Sequence, residues 1–234
     1  METIILAGGA GTRLRSVVSD VPKPMAPVGG KPFLEWLLDY WTRQKVSRFI
    51  LAIGYQYEKI ENHFGKSYKG IPIAYAVEKK PLGTGGGLLL AMEQLKSAND
   101  CLVLNGDTLF EVALSDFQAL HTKARAEVSI ALREVSSAGR YGTVVRKPSN
   151  QIVSFQEKGK SAGVSLINGG VYLVKPGLTN ELNFPSDQAI SFETEILPVI
   201  LGKNKALYGF DFHGKFVDIG IPEDYEKAYT IITR

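Results

Sequence analysis

Residues 1–27 read METIILAGGAGTRLRSVVSDVPKPMAP. The short apolar run TIILA (3–7) reads as a strand, and it runs straight into Gly8, Gly9 and Gly11. Arg13 follows, and ten residues later Lys23 stands between Pro22 and Pro24. A parallel strand that ends in glycines and turns exposes backbone N–H groups at the carboxyl edge of its sheet, where open α/β sheets bind ligands. Glycine lets the backbone come close to a ligand, and clustered N–H groups form an anion nest. Arg13 adds a planar fork suited to phosphate oxygens, and Lys23 a mobile point charge. Two familiar phosphate motifs fail. The G-x-G-x-x-G pattern starting at Gly9 meets Leu14 in its last position, and G-x-x-x-x-G-K-[ST] does not occur. A glycine turn without a ligand would leave both cations unexplained.

Working outward, the first half of the chain alternates strand and helix patterns. Strands are predicted over 3–7, 48–54, 71–78 and 101–107, and helices over 32–44, 57–64, 83–98 and 114–124, with Pro32 in the first turn of its helix and Ser115 as a cap. This order implies a mainly parallel sheet covered on both faces by helices. The second half reads differently. Closely spaced strand patterns at 128–135, 142–147, 151–158 and 167–175 suggest antiparallel additions to the sheet. A helix over about 191–201, strands within 206–212 and 215–220, and a closing helix over 223–233 complete the chain. With no repeat, low-complexity tract or linker, residues 1–234 read as a single α/β domain of Rossmann-like, mixed, mainly parallel build.

Composition narrows the function classes. The 234 residues are 44% hydrophobic and 22% charged with net charge +3, ordinary for a globular protein. The mild positive balance suits anionic small molecules, and the scattered basic residues do not form a nucleic-acid surface. The lone Cys101 lies in an apolar run, which excludes an internal disulfide or a thiolate zinc cluster and reads as a small buried hydrophobe. No apolar stretch approaches the ~18 residues of a membrane span, and the N-terminus lacks the layout of a signal peptide. A cytoplasmic protein is expected. His63, His121 and His213 show no ligand spacing.

Two acids stand out. LVLNGD ends a strand pattern at Asp107, and FVDIGIPEDY places Asp218 just after another, each beside a glycine, Gly106 and Gly220. Mg²⁺ commonly takes one or two protein carboxylates, its other positions going to phosphate oxygens and water. Taken alone, each acid would serve equally well as a turn cap.

LAGGAGTRL followed by PKPM resembles the signature of the sugar-1-phosphate nucleotidyltransferases, which transfer a nucleoside monophosphate from an NTP to a sugar phosphate and release pyrophosphate. The resemblance continues in NGD at 105–107 and in the D-x-G-x-P-x-D/E-Y element at Asp218, and implies that Asp107 and Asp218 hold the catalytic Mg²⁺. It implies nucleotide binding by Leu6, Ala7, Gly8, Gly9, Gly11, Thr12, Arg13 and Lys23, with Arg13, Lys23 and Asp107 catalytic. In EKKPLGTGGGLLLA (78–91), a second glycine-rich segment opening a helix, Gly83 and Thr84 correspond to the loop that holds the base. Glu78 lies just before it. A carboxylate can accept the two adjacent donors of guanine's Watson–Crick edge, N1–H and the N2 amino group. Glu78 is compatible with guanine without requiring it, and an exposed surface glutamate is the other reading. RYGTVV, SFQEKG and INGGVYL match the family's sugar-phosphate elements at Gly142, at Glu157 and Lys158, and at Asn168 and Gly169.

Within the family, RSVVSDVPKPMAPVGGKPFLE (15–35) is most similar to the D-glycero-D-manno-heptose 1-phosphate guanylyltransferases. This implies GTP and a heptose 1-phosphate as substrates and a product used for bacterial surface polysaccharide. A uridylyltransferase acting on N-acetylmuramate 1-phosphate and a non-catalytic sugar-nucleotide-binding subunit are the alternatives. The chain stops soon after its last helix, so no β-helix tail is expected. Oligomeric state stays open, a homodimer included.

Overall fold

The computed structural model describes all residues except 137, 138, 140, 157–162, 179, 180, 182, 183, 186 and 187. The strands are β1 Glu2–Leu6, β2 Pro27–Val28, β3 Lys31–Pro32, β4 Arg48–Ile53, β5 Ser67–Tyr68, β6 Ile71–Val77 and β7 Cys101–Asn105 in the first half. They continue as β8 Thr108–Phe110, β9 Val128–Val135, β10 Thr143–Arg146, β11 Ile152–Gln156, β12 Ser165–Val174, β13 Leu207–Asp211 and β14 Phe216–Asp218. The helices are α1 Phe33–Arg43, α2 Tyr57–Phe64, α3 Gly83–Met92, α4 Leu114–Ala124, α5 Leu197–Gly202 and α6 Pro222–Thr233.

Strands β6, β4, β1 and β7 lie side by side and parallel, with Ile5 paired to Leu51 and to Leu104. The β-α alternation read from the sequence is therefore the parallel half of the sheet. β12 joins β7 antiparallel, β9 pairs antiparallel with β12, and β13 runs parallel to β9. The hairpin β10–β11 attaches to β12 at Thr143 and Ile167. The second half thus extends the same sheet, as its short strand patterns suggest.

Alternation of side chains along the strands builds one apolar cluster on each face. Ile5, Leu51, Leu104 and Leu173 point to one, which receives α1 through Phe33, Leu37 and Trp41, together with α2, α4 and α6. Ile4, Ile50, Val103 and Tyr172 point to the other, covered by α3 and by the segment 190–200. Because both faces are covered, β1, β4 and β7 read as continuous apolar runs rather than alternating ones.

Several expected boundaries move. The helix expected over 83–98 stops at Met92, where backbone turns take over. Ser115 is not a cap: Ala113 takes that position, and the N–H of Leu114 donates to the side-chain oxygen of Gln44, the residue that follows α1. The helix expected over 191–201 opens as a π-turn, Phe192–Ile196, before α5. The short β8, unforeseen, pairs with β14.

Candidate functional site

The first glycine loop leaves the sheet just after β1. Ala7 still donates to the carbonyl of Ala52 at 2.8 Å, and the chain then turns. Gly11 has φ +60, and a Cβ there would lie 2.7 Å from the Cβ of Lys23, so only glycine both makes the turn and admits the lysine. Leu14 donates to the Gly11 carbonyl at 2.9 Å and is buried, anchoring the loop in the core. Thr12 and Arg13 are left exposed. Lys23 begins a 3₁₀ turn, Lys23–Met25, whose Pro24 and Met25 are buried. Its ammonium is paired with Asp107 Oδ2.

Asp107 stands between β7 and β8. Gly106 donates to the Leu6 carbonyl at 2.9 Å, and a Cβ on Gly106 would lie 2.7 Å from that oxygen, so glycine is what lets the tip of β7 close on the tip of β1. Asp218 ends β14, paired across the ladder with Thr108, and the N–H of Ile219 donates to the Asp107 carbonyl at 3.0 Å. The small β8–β14 ladder therefore brings together two acids from distant parts of the chain. Asp218 Oδ1 accepts from the N–H of Gly220 at 2.6 Å.

These residues line one cavity of about 1140 Å³ at the carboxyl edge of the parallel strands. Leu6, Ala7, Gly9, Gly11, Thr12, Arg13, Lys23, Thr84 and Asp107 line it. Gly142, Asn168 and Asp218 line the same cavity. Glu157 and Lys158 lie outside the described residues.

A family model described as Nucleotidyl transferase matches residues 2–234. The chain belongs to the nucleotidyl transferase family. It is 43% identical over 228 residues to a D-glycero-alpha-D-manno-heptose 1-phosphate guanylyltransferase from Aneurinibacillus thermoaerophilus, covering 97% of this chain and 96% of that one. A protein of the same description from Campylobacter jejuni is 42% identical over 226 residues, covering 96% and 97%. Among solved structures, HddC from Yersinia pseudotuberculosis complexed with GMP-PN is 35% identical with TM-score 0.85, over 98% of both chains.

In this nucleotidyl transferase, four residues named from the sequence do not line the cavity: Gly8, Gly83, Glu78 and Gly169. Glu78 is half-buried, not the exposed surface glutamate of the other reading. Its carboxylate lies against Gly8 and Gly87 and accepts from the N–H of Leu82 at 3.0 Å. Burial pushes its carboxyl above the usual range, opposed by that N–H. It thus braces the two glycine-rich loops against each other. Gly169 faces the ring of Phe110, and the next residue, Gly170, is the one that reaches the cavity. The register of β12 against β9 shifts between Asn168 and Tyr172, and this irregularity exchanges the expected glycine for its neighbour.

The cavity also holds residues that sequence reasoning passed over: Asn105, Tyr141, Ser191, Glu193 and Thr194. The only signal for Glu193 was its place in SFETEIL, at the start of an apolar helical pattern. Thr84 Oγ1 donates to Glu193 Oε2 at 2.6 Å and accepts from the N–H of Phe192 at 2.9 Å. The second glycine loop is thereby tied to the π-turn.

Proposed function

We propose that this nucleotidyl transferase moves GMP from GTP onto D-glycero-D-manno-heptose 1-phosphate, releasing pyrophosphate and GDP-heptose. The observation that carries the reading is the convergence of Arg13, Lys23, Asp107 and Asp218 on one cavity beside the glycine loop. The names of its relatives support guanine and heptose. The chain works as one domain in the cytoplasm, with the nucleotide held mainly by about residues 1–125 and the sugar phosphate mainly by about 126–234.

The reaction joins two anions, so the protein's task is alignment and neutralisation of charge rather than covalent chemistry. The sugar 1-phosphate is already ionised at pH 7 and needs no general base. One of its oxygens forms a bond to the α-phosphorus in line with the bond to the β-phosphate oxygen. That bond breaks, and pyrophosphate leaves with the electron pair. Arg13 and the N–H groups of the Gly8–Gly11 loop hold the β- and γ-phosphates. Lys23 neutralises the α-phosphate and the departing oxygen. Lys158 takes the phosphate of the sugar. Asp107 and Asp218 are hard oxygen donors brought to one side of the cavity, a set that leaves room for phosphate oxygens and water, as Mg²⁺ requires. When bound there, Mg²⁺ supplies positive charge shared by the phosphates of both substrates. Lys23 places its ammonium on Asp107 and so lies beside that position.

The test is pyrophosphate release with GTP, UTP, CTP, ATP and dTTP against a panel of sugar 1-phosphates in the presence of Mg²⁺. GTP with the heptose 1-phosphate is expected to give the highest kcat/KM. Release that no sugar phosphate stimulates would overturn the reading in favour of a binding protein, and preference for UTP would overturn the base assignment.

A further inference from the structure

Glu193 presents a physical oddity. Both substrates of a nucleotidyl transferase are polyanions, yet this cavity contains a carboxylate beyond the two suited to a metal. Its partners among the described residues are all neutral. Besides Thr84 Oγ1 at 2.6 Å, its carboxylate lies 3.4 Å from Asn105 Nδ2, 3.4 Å from Ser191 Oγ and 3.5 Å from the Tyr172 hydroxyl. Among the described residues no lysine or arginine forms an ion pair with it. A negative charge that no cation offsets repels phosphate, so it belongs where the neutral, hydroxyl-bearing part of a substrate lies.

Local structure fixes its position. Phe192 and Ile196 are buried at the two ends of the π-turn, which leaves Glu193 facing the cavity. Single-turn π segments of this kind recur at functional sites. The link to the sugar side runs through Tyr172, whose hydroxyl accepts from Asn168 Nδ2 at 2.7 Å and donates to Glu193 Oε1. Asn168 Oδ1 is occupied by the N–H of Gly170 at 3.0 Å. Asn168, expected to meet the sugar itself, thus also holds Tyr172 and the backbone. Beside Glu193, Asn105 Oδ1 is buried without a hydrogen-bond partner among the described residues.

Resting on the proposed transfer to a sugar 1-phosphate, we propose that Glu193 is a specificity-determining residue. Its carboxylate accepts hydrogen bonds from hydroxyl groups of the sugar ring or its side chain. An ionised carboxylate offers several acceptor positions, enough for a pair of adjacent hydroxyls. A site built to bind a hydroxyl discriminates against an analogue lacking it, because its own polar group is then left unpaired.

The experiment compares wild type with Glu193→Gln, isosteric and uncharged, and Glu193→Asp, charged with a shorter reach. KM is measured separately for GTP and for the sugar 1-phosphate, and a set of monodeoxy sugar 1-phosphates is assayed with each enzyme. Glu193→Gln is expected to raise KM for the sugar 1-phosphate by about tenfold or more, the loss of a charged hydrogen bond, and to leave KM for GTP within about twofold. One deoxy analogue should lose about tenfold in kcat/KM with wild type and much less with Glu193→Gln. Equal rises in both KM values, or a deoxy penalty unchanged in the variant, would overturn the proposal. If Glu193→Gln does not fold, Glu193→Asp carries the same comparison with the same two outcomes. If wild type prefers a sugar other than the heptose, the measurements are made on that sugar, so the substrate reading fails while the role of Glu193 is judged on its own ratio.

Discussion

The two ends of the parallel strands treat charge in opposite ways. At the amino end, charged groups are enclosed by partners. Glu2 is buried and accepts from Arg48 Nη1, from the N–H of Lys96 and from the N–H of Ser97, each at 2.8 Å. His121 is buried with Ser129 Oγ 2.7 Å from Nδ1 and Asp100 Oδ2 3.4 Å from Nε2. At the carboxyl end, Arg13 stands exposed on the cavity, and Lys23 and Asp107 meet there as a pair that nucleotide phosphates and a cation would each draw on. The contrast separates charges packed at the base of the fold from charges that line the cavity. A substitution at the carboxyl end should change turnover with little change in stability, and one at the amino end should do the reverse.

The largest effect is expected from Asp107→Asn. Loss of a carboxylate from the proposed metal position should lower kcat on the order of 10³-fold, several kcal/mol of lost charge stabilisation. It also leaves Lys23 without its acid, a modest cost, so Tm should move by no more than about 2–4 °C. Single-turnover pyrophosphate release and a thermal melt check both halves, and a large fall in Tm with near-normal turnover would reverse the assignment.

Arg13→Ala comes next, on the order of 10²-fold in kcat/KM for GTP, the scale of removing one preorganised donor. Because Arg13 is exposed and has no ion pair among the described residues, its Tm should stay within about 1 °C of wild type. Steady-state kinetics in GTP with a parallel melt makes the check.

Glu2→Ala tests the other end. Burial raises the Glu2 carboxyl, but the Arg48 hydrogen bond and the two backbone N–H groups outweigh it and leave it below the usual range. Removing the acceptor strands one cation and two N–H groups, and should cost about 2 kcal/mol, or roughly 4–8 °C in Tm for a chain of this size. Turnover at a permissive temperature should stay within about twofold of wild type. A loss of turnover without a loss of Tm would erase the distinction between the two ends.

The same contrast explains which features were legible in the sequence. The parallel half was readable because each element carries its own periodicity, and the loop at Gly8–Gly11 because Arg13 follows at once and Lys23 ten residues later. Features set by distant neighbours were not. Ser115 is a good cap by local rules, yet Gln44, far away in sequence, takes the role. β8 has three residues and exists only because β14 pairs with it. Gly169 and Gly170 trade places through a slip of register that no local pattern announces. Glu78 looked like an exposed acid or a base reader, and its burial against Gly8 and Gly87 depends on two loops meeting. Glu193 was hidden for a different reason: a π-turn shares the apolar spacing of the helix it opens, so an acid facing the cavity resembles an acid facing water.

The smallest effect lies at His121 and sharpens the comparison through pH. Burial holds its imidazole below the usual histidine range, with the nearby Asp100 opposing in part. The folded state therefore takes up a proton less readily than the unfolded chain, so protonation favours unfolding. Stability from this site is complete above the unfolded value of about 6.5 and declines as pH falls below it. Melts at pH 7.5 and 5.5 should show wild type losing more Tm on acidification than His121→Gln does, since glutamine cannot take up the proton. Equal losses in the two proteins would mean that Asp100 cancels burial, and a smaller loss in wild type that the ring takes up its proton more readily when folded and Asp100 outweighs burial. His121 would then be an ion-pair partner, and enclosure of charge at the amino end would rest on pairing there, as it does at Glu2.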